Sequence, residues 1–186
     1  MPRLFTGLEI PEDIALRLSL LRGGVSGAKW IEPSDYHLTL SFIGNVDDRI
    51  ASELADELAE VNCGDLSVRL TELAAFGGNK PRSIVALAQA TPSLLALQLA
   101  NDRVLRRVGV EPEQRKYTPH VTLARLKGTS AQSVAAFLSE RPIQPLEFEV
   151  DHFALYSART SLGGGPYVVE AEYPFGQGSS TESQYR

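Results

Sequence analysis

Residues 36–44 read YHLTLSFIG, and residues 119–128 read PHVTLARLKG. Two of the chain's three histidines, His37 and His120, therefore open the same pattern of His, apolar residue, Thr, Leu, and each run ends on a glycine, Gly44 or Gly128. In an extended strand, residues two apart share a face. His37 and Thr39 then face one way while Leu38 and Leu40 face the other, and His120 and Thr122 stand in the same relation to Val121 and Leu123. Each segment reads as a strand that anchors its apolar pair in a core and presents an imidazole and a hydroxyl on its other surface.

The elements around the two segments also match. Before His37 come a strand-like RLFTGLEI (residues 3–10) and a helix with Pro11, Glu12 and Asp13 in its first turn and Ile14, Leu18 and Leu21 at helical spacing. After it, Asp47 or Asp48 caps a helix whose Ile50, Leu54, Leu58 and Val61 form an apolar stripe, and LSVRLTELAAF (66–76) reads as a strand. The Gly- and Pro-bearing GGNKPRS (77–83) breaks the chain. The order then repeats: a strand, SIVALAQ (83–89); a helix opened by Thr91 and Pro92; the His120 strand; a short helix in residues 129–140; and a strand, LEFEVDHFALYSA (146–158). Pro11 to His37 is 26 positions and Pro92 to His120 is 28, while His37 to Asp47 and His120 to Ser130 are both 10. A shared five-element order with matching offsets implies an internal duplication. A Gly-rich turn and a last alternating strand, Tyr167 to Tyr173, follow, and residues 176–186 read as a flexible polar tail.

The repeated order implies a single domain over residues 1–175, bilobal and internally duplicated. The composition suits that, with 43% hydrophobic and 22% charged residues in 186. No segment has the length and apolarity of a membrane span, and the start of the chain lacks the apolar core of a secretory signal, so no membrane partner and a cytoplasmic location are expected. Cys63 is the only cysteine, which excludes an intrachain disulfide and a thiolate metal cluster. The net charge of −5 argues against a protein that grips long nucleic acid through a broad basic surface, but not against one that holds a nucleic acid terminus or a small phosphorylated molecule. Basic clusters at Arg103, Arg106 and Arg107, and at Arg115, Lys116, Arg125 and Lys127, are local.

If the two lobes face one another, both presented surfaces line one cleft. Imidazole titrates near neutrality, so one histidine can take a proton while the other gives one. Hydrolysis of a strained cyclic phosphodiester needs those two transfers: one from the attacking water, one to the departing ribose oxygen. The threonine hydroxyls can donate to the non-bridging phosphate oxygens, where charge must be held. No metal and no cofactor are expected, because neither motif carries a neighbouring His, Cys or carboxylate at ligand spacing. A lone His-x-Thr pair on a strand has no chemical meaning; two copies in the same place of a repeated half do. His152, in EVDHFALYS, has neither the threonine nor the repeated context and reads as structural.

On these residues the chain resembles the two-histidine (2H) phosphoesterase superfamily. More closely, it is similar to the bacterial and archaeal RNA 2′,3′-cyclic phosphodiesterases, historically called 2′-5′ RNA ligases (the LigT/ThpR family). The likeness runs through RLFTGLEIP, HLTLSFIGNV, YTPHVTLARL and LYSARTSLGGGPYVVEAEYPF, to about Phe175; PRSIVAL departs from it, where relatives often carry an aromatic residue near Val85. It implies an α+β fold, with two antiparallel sheets flanking a central cleft and helices on the outside, and hydrolysis of a terminal 2′,3′-cyclic phosphate to a 2′-phosphate in that cleft. His37 would be the proton donor and His120 the acceptor, an assignment that the spacing alone leaves open. Thr39 and Thr122 would bind the phosphate. Arg125 matches a basic position that relatives aim at the phosphate, yet five residues after His120 is an odd offset that points away from it unless a bulge intervenes. Phe5, Trp30, Tyr36 and Tyr117 are candidates to stack on a base, with Phe5 and Trp30 equally readable as core. The partner is then an RNA terminus or a small cyclic nucleotide, bound by a monomer. Two alternatives stay open: an enzyme for another small cyclic phosphate or for 2′-5′ ligation, and a binding module without turnover.

Overall fold

The computed structural model describes residues 3–158 and 166–176. Its strands are β1 (Arg3–Glu9), β2 (Ala28–Trp30), β3 (His37–Asn45), β4 (Leu66–Phe76), β5 (Ser83–Ala88), β6 (His120–Leu126), β7 (Leu146–Val150), β8 (His152–Ala158) and β9 (Tyr167–Pro174). The helices are α1 (Glu12–Ser19), α2 (Asp48–Leu58), α3 (Pro92–Arg107) and α4 (Ala131–Glu140). Local chemistry starts three of these helices. Asp47 accepts from the Ile50 amide at 2.8 Å, Thr91 from Leu94 at 3.3 Å and Ser130 from Ser133 at 3.1 Å, each satisfying an amide that the first turn leaves without a partner. The Gly-rich turn of residues 160–165 and the tail from 177 onward lie outside the described residues.

The protein is α+β, and its strands hydrogen-bond in the order β7-β4-β5-β6-β3-β1-β8-β9, with β2 beside β6. Every pairing is antiparallel. The ladder is thus continuous across nine strands, where two separate sheets were expected. It is thinnest in the middle, because β3 and β6 share the single pair Leu38↔Val121. Along that order four strands lie on each side of the junction, with β2 a fifth on the β6 side, and the two histidine strands meet at it.

The sequence halves do not each keep their own strands. β4, the last strand of the first half, pairs with β5 of the second, while β8 crosses back to pair with β1. Residues 146–158, expected as one strand, are accordingly two. Asp151 separates β7, whose partner is β4, from β8, which lies between β1 and β9. Their burial differs to match: β7 alternates, whereas β8 is buried almost throughout after its first residue, as befits a strand covered on both faces. β2 is three residues long and pairs with β6.

The apolar faces of the histidine strands are fully committed to the core. Leu38, Leu40, Val121 and Leu123 are each no more than 2% exposed, in one cluster with Leu8, Leu18, Leu54, Leu94 and Leu105 from the neighbouring strand and helices. Burying a leucine or valine side chain is worth about 1.5–3 kcal/mol. Slipping either strand by one residue would forfeit that for both apolar residues and turn the imidazole inward, so the core fixes which way His37 and His120 face. The side-chain network of Ser41, Asp102 and Gln98 adds a polar tie between α3 and β3: Ser41 donates to Asp102 at 2.6 Å and Gln98 donates to it at 2.8 Å.

Candidate active site

β3 and β6 bury their residues in the same sequence. From His37 to Ile43 and from His120 to Leu126 the order is half-buried, buried, half-buried, buried, buried, exposed, buried. The two successive buried positions break the alternation, and the pairing shows why. Thr39 lies opposite Gly7 but Ser41 opposite Thr6, so Leu40 has no partner; Thr122 lies opposite Val85 but Ala124 opposite Ile84, so Leu123 has none. Each strand carries a bulge immediately after its threonine. The bulge resets the phase, and the fifth residue after each histidine returns to the histidine face. Those residues are Phe42 and Arg125. The odd offset of Arg125 is resolved by this bulge.

The resulting pocket, about 250 Å³, is lined by Arg3, Phe5, His37, Thr39, Phe42, Arg125, Ala158 and Tyr167. Both imidazoles are held by the same device. His37 Nδ1 donates to the Asp35 carbonyl at 3.0 Å and His120 Nδ1 to the Thr118 carbonyl at 2.7 Å, in each case the residue two positions back. A carbonyl oxygen only accepts, so Nδ1 carries the proton and Nε2 is left for chemistry. Burial lowers His37 to about 4, with the positive charge of Arg125 and the neighbouring His120 adding to the effect and the Asp35 carbonyl opposing it. His120 is lowered in the same direction by burial and by Arg125, against the Thr118 carbonyl. Both rings are therefore neutral at pH 7 before an anion arrives, and Arg125 acts on both.

Aromatic rings frame the histidines. Phe5, 4% exposed, lies with its ring 4.7 Å from His37 and is stacked on Tyr156 at 5.1 Å; Tyr167 meets His37 edge-on at 4.8 Å, and Phe76 meets His120 edge-on at 4.8 Å. The four sequence-predicted stacking residues thus occupy different places. Phe5 is in the pocket wall beneath His37. Trp30 packs on Phe137 with centroids 5.8 Å apart, and Tyr36 is buried in the core cluster, so neither lines this pocket. Tyr117 turns its hydroxyl inward to the Thr39 carbonyl, donating at 2.8 Å. The exposed aromatic ring is instead Phe42, 41% exposed, with the Arg3 guanidinium over one of its faces, 4.9 Å from the centroid. Sequence reasoning missed it, although its offset from His37 equals that of Arg125 from His120.

His152 stands apart from the pair. Its Nδ1 contacts Asp151 at 2.6 Å and its Nε2 lies 3.4 Å from Glu9, beside a pocket of about 500 Å³ that also carries Glu12, Asp65 and Glu149. That pocket is larger than the histidine pocket, but its row of carboxylates repels a phosphate.

Residues 10–161, which span both histidine strands, match the 2′-5′ RNA ligase superfamily. The chain belongs to that family. It is 35% identical over 115 residues to the RNA 2′,3′-cyclic phosphodiesterase of Aeropyrum pernix, an overlap of 61% of this chain and 65% of the relative. With the RNA 2′,3′-cyclic phosphodiesterase of Thermotoga maritima it shares 29% over 182 residues, 93% of this chain and 95% of the relative. Among solved structures, Escherichia coli LigT complexed with 3′-AMP superposes with a TM-score of 0.75 at 20% identity, over 95% of this chain and all (100%) of LigT, a likeness of fold. Among the described residues, no helix is long and apolar enough to cross a membrane.

Proposed function

We propose that this chain hydrolyses the 2′,3′-cyclic phosphate at an RNA 3′ end to a 2′-phosphate, without a metal ion, using His37 and His120 as a proton-transfer pair. The observation that carries the reading is the paired geometry: two histidines on strands joined at Leu38↔Val121, each anchored through Nδ1 to the carbonyl two residues back, with Arg125 brought round to both by a bulge. In the reaction, His120 Nε2 accepts a proton from water as the water oxygen bonds to phosphorus. The bond from phosphorus to the ribose 3′ oxygen breaks, and the His37 imidazolium gives its proton to that oxygen. Family resemblance suggests this division of roles, and the surroundings agree with it. His37 is the more enclosed of the two rings, and an imidazolium whose pKa is depressed is a stronger acid toward a poor leaving group. Arg125, Thr39 and Thr122 hold the non-bridging oxygens, and the exposed face of Phe42 takes the terminal base.

The same reading takes residues 1–175 as one two-lobed domain, acting as a cytoplasmic monomer, that arose by duplication with exchange of β4 and β8 between the lobes. The identical burial order of β3 and β6, bulge included, supports it.

The deciding experiment follows hydrolysis of nucleoside 2′,3′-cyclic monophosphates and of a cyclic-phosphate-ended RNA oligomer in EDTA, resolving 2′- from 3′-phosphate products. Turnover to the 2′-phosphate supports the reading; none on either substrate overturns it. Substituting sulfur for the 3′ bridging oxygen gives a leaving group that needs no proton. It should rescue His37→Ala and not His120→Ala, and the opposite pattern reverses the roles.

A further inference from the structure

A second pocket, about 370 Å³, opens on the His120 side of the cleft, lined by Phe76, Gly77, Arg82, Gln98, Glu113, Arg115, Lys116, Tyr117 and Thr118. It shares its wall with the catalytic histidine: Thr118 supplies the carbonyl that holds His120 Nδ1, and the Phe76 ring meets the His120 ring edge-on. Its charge is opposite to that of the whole chain. Three cations line it against one carboxylate, and that carboxylate, Glu113, is taken by Arg115. Arg82 and Lys116 form no ion pair among the described residues, so they leave an uncompensated positive pocket on a protein of net charge −5.

The pocket is also built rather than merely exposed. The Arg82 backbone is pinned from both sides, its amide donating to the Phe76 carbonyl at 2.7 Å and its carbonyl accepting from the Leu126 amide at 2.8 Å. The turn before it depends on Gly77, whose φ is +111° and where a Cβ would lie 2.4 Å from the Lys80 carbonyl oxygen and 2.8 Å from the Arg82 amide. A cation on a fixed backbone loses less freedom on binding than one on a loose loop.

We infer that this pocket is a subsite for a second phosphodiester of the RNA chain, the one joining the terminal nucleotide to its 5′ neighbour. The inference rests on the function proposed above. On a ribose, the base leaves from C1′ and the 5′ chain from C4′, on either side of the edge that bears the cyclic phosphate. Both pockets border the histidine pair: an aromatic one with Phe42 beside His37, and a cationic one with Arg82 and Lys116 beside the Thr118 carbonyl that holds His120. One takes the terminal base and the other the chain, which selects an RNA end over a free cyclic mononucleotide while needing no broad basic surface.

The test compares kcat/KM for cytidine 2′,3′-cyclic monophosphate with that for the ApC dinucleotide ending in the same cyclic phosphate, which adds one phosphodiester. Native protein should favour the dinucleotide about tenfold, the scale of one charge-assisted hydrogen bond. In Arg82→Ala/Lys116→Ala that preference should collapse toward one, and the slope of log kcat/KM for the dinucleotide against log salt should become shallower by about 0.7 for each phosphate that is no longer neutralised. Arg82→Glu should invert the preference. A ratio near one in the native protein, or a ratio and salt slope unchanged in the variants, overturns the subsite. If neither substrate is turned over, the proposed function falls while the subsite is still judged by equilibrium binding of the two compounds: tighter binding of the dinucleotide that Arg82→Glu abolishes supports it, and equal affinity overturns it.

Discussion

The Tyr117 hydroxyl donates to the Thr39 carbonyl oxygen over 2.8 Å, so the residue three before one histidine is bonded to the residue two after the other. Burial, with the carboxylate of Asp102 nearby, raises the Tyr117 hydroxyl well above its ordinary value, which keeps it a donor at any working pH. That bond, with Leu38↔Val121, is what spaces the two half-sites. Tyr117→Phe keeps the ring and removes the bond. It should cost about 1–2 kcal/mol of stability through the unsatisfied carbonyl, and lower kcat about tenfold with little change in KM. Chemical denaturation and steady-state kinetics read the two effects separately. A lowered stability with kcat intact would mean that the bond only supports the fold.

Arg125 lowers the pKa of both imidazoles, and in the proposed reaction it also holds the phosphate. Arg125→Ala should lower kcat/KM by about 10²–10³. It also removes a positive neighbour that depresses both His37 and His120, so both should titrate at higher pH and the acid limb of kcat/KM should move up. Arg125→Lys restores charge without the planar fork, and should return the limb while recovering only part of the rate. An unchanged rate with an unmoved limb would leave Arg125 a surface residue.

What was legible in the sequence was whatever depends on neighbours along the chain. The caps Asp47, Thr91 and Ser130 act three residues ahead, and the facing of His37 with Thr39 follows from strand period. What was hidden depends on partners across the sheet. Nothing local at Leu40 or Leu123 announces a bulge, because it is created by the register of β1 and β5; without it Phe42 reads as one more core residue. Asp151 looked like a polar position inside one strand, since chain order does not reveal that β7 and β8 belong to opposite sides of the sheet. Tyr36 and Tyr117 are candidates to stack on a base from the sequence, but depth is set by packing, and both turn inward.

The pH dependence should separate free protein from complex. In the free protein His37 sits near 4, below its ordinary 6.5, so the unfolded chain binds that proton more tightly than the folded one. The stability due to neutral His37 is complete above 6.5 and is lost as pH falls from 6.5 toward 4. Thermal unfolding of native protein and of His37→Gln should therefore diverge over that window, the variant losing less. In catalysis kcat/KM follows the free protein and kcat the complex. A bound phosphate anion stabilises imidazolium, so the bell of kcat should lie at higher pH than that of kcat/KM. Coincident bells, or a rate flat from about pH 5 to 9, would count against two titrating histidines.

Gly7 controls how closely β1 approaches the first histidine strand. It pairs with Thr39, and a Cβ placed on it would lie 2.9 Å from the Leu38 carbonyl oxygen and 3.5 Å from the Thr39 Cα. The clash is with backbone, which no rotamer change relieves. Gly7→Ala should thus push β3 outward at the position that carries both Thr39 and the junction residue Leu38, at a cost of about 1–3 kcal/mol. Because the shift falls between His37 and the bulge at Leu40, activity should drop further than stability alone explains. The comparison is kcat/KM, measured well below the unfolding midpoint, against Ala15→Gly in α1. That change also weakens the fold, by about 0.5–1 kcal/mol for glycine within a helix, but lies away from the pocket. If Gly7→Ala is as active as Ala15→Gly, the closeness of β1 to β3 serves packing alone.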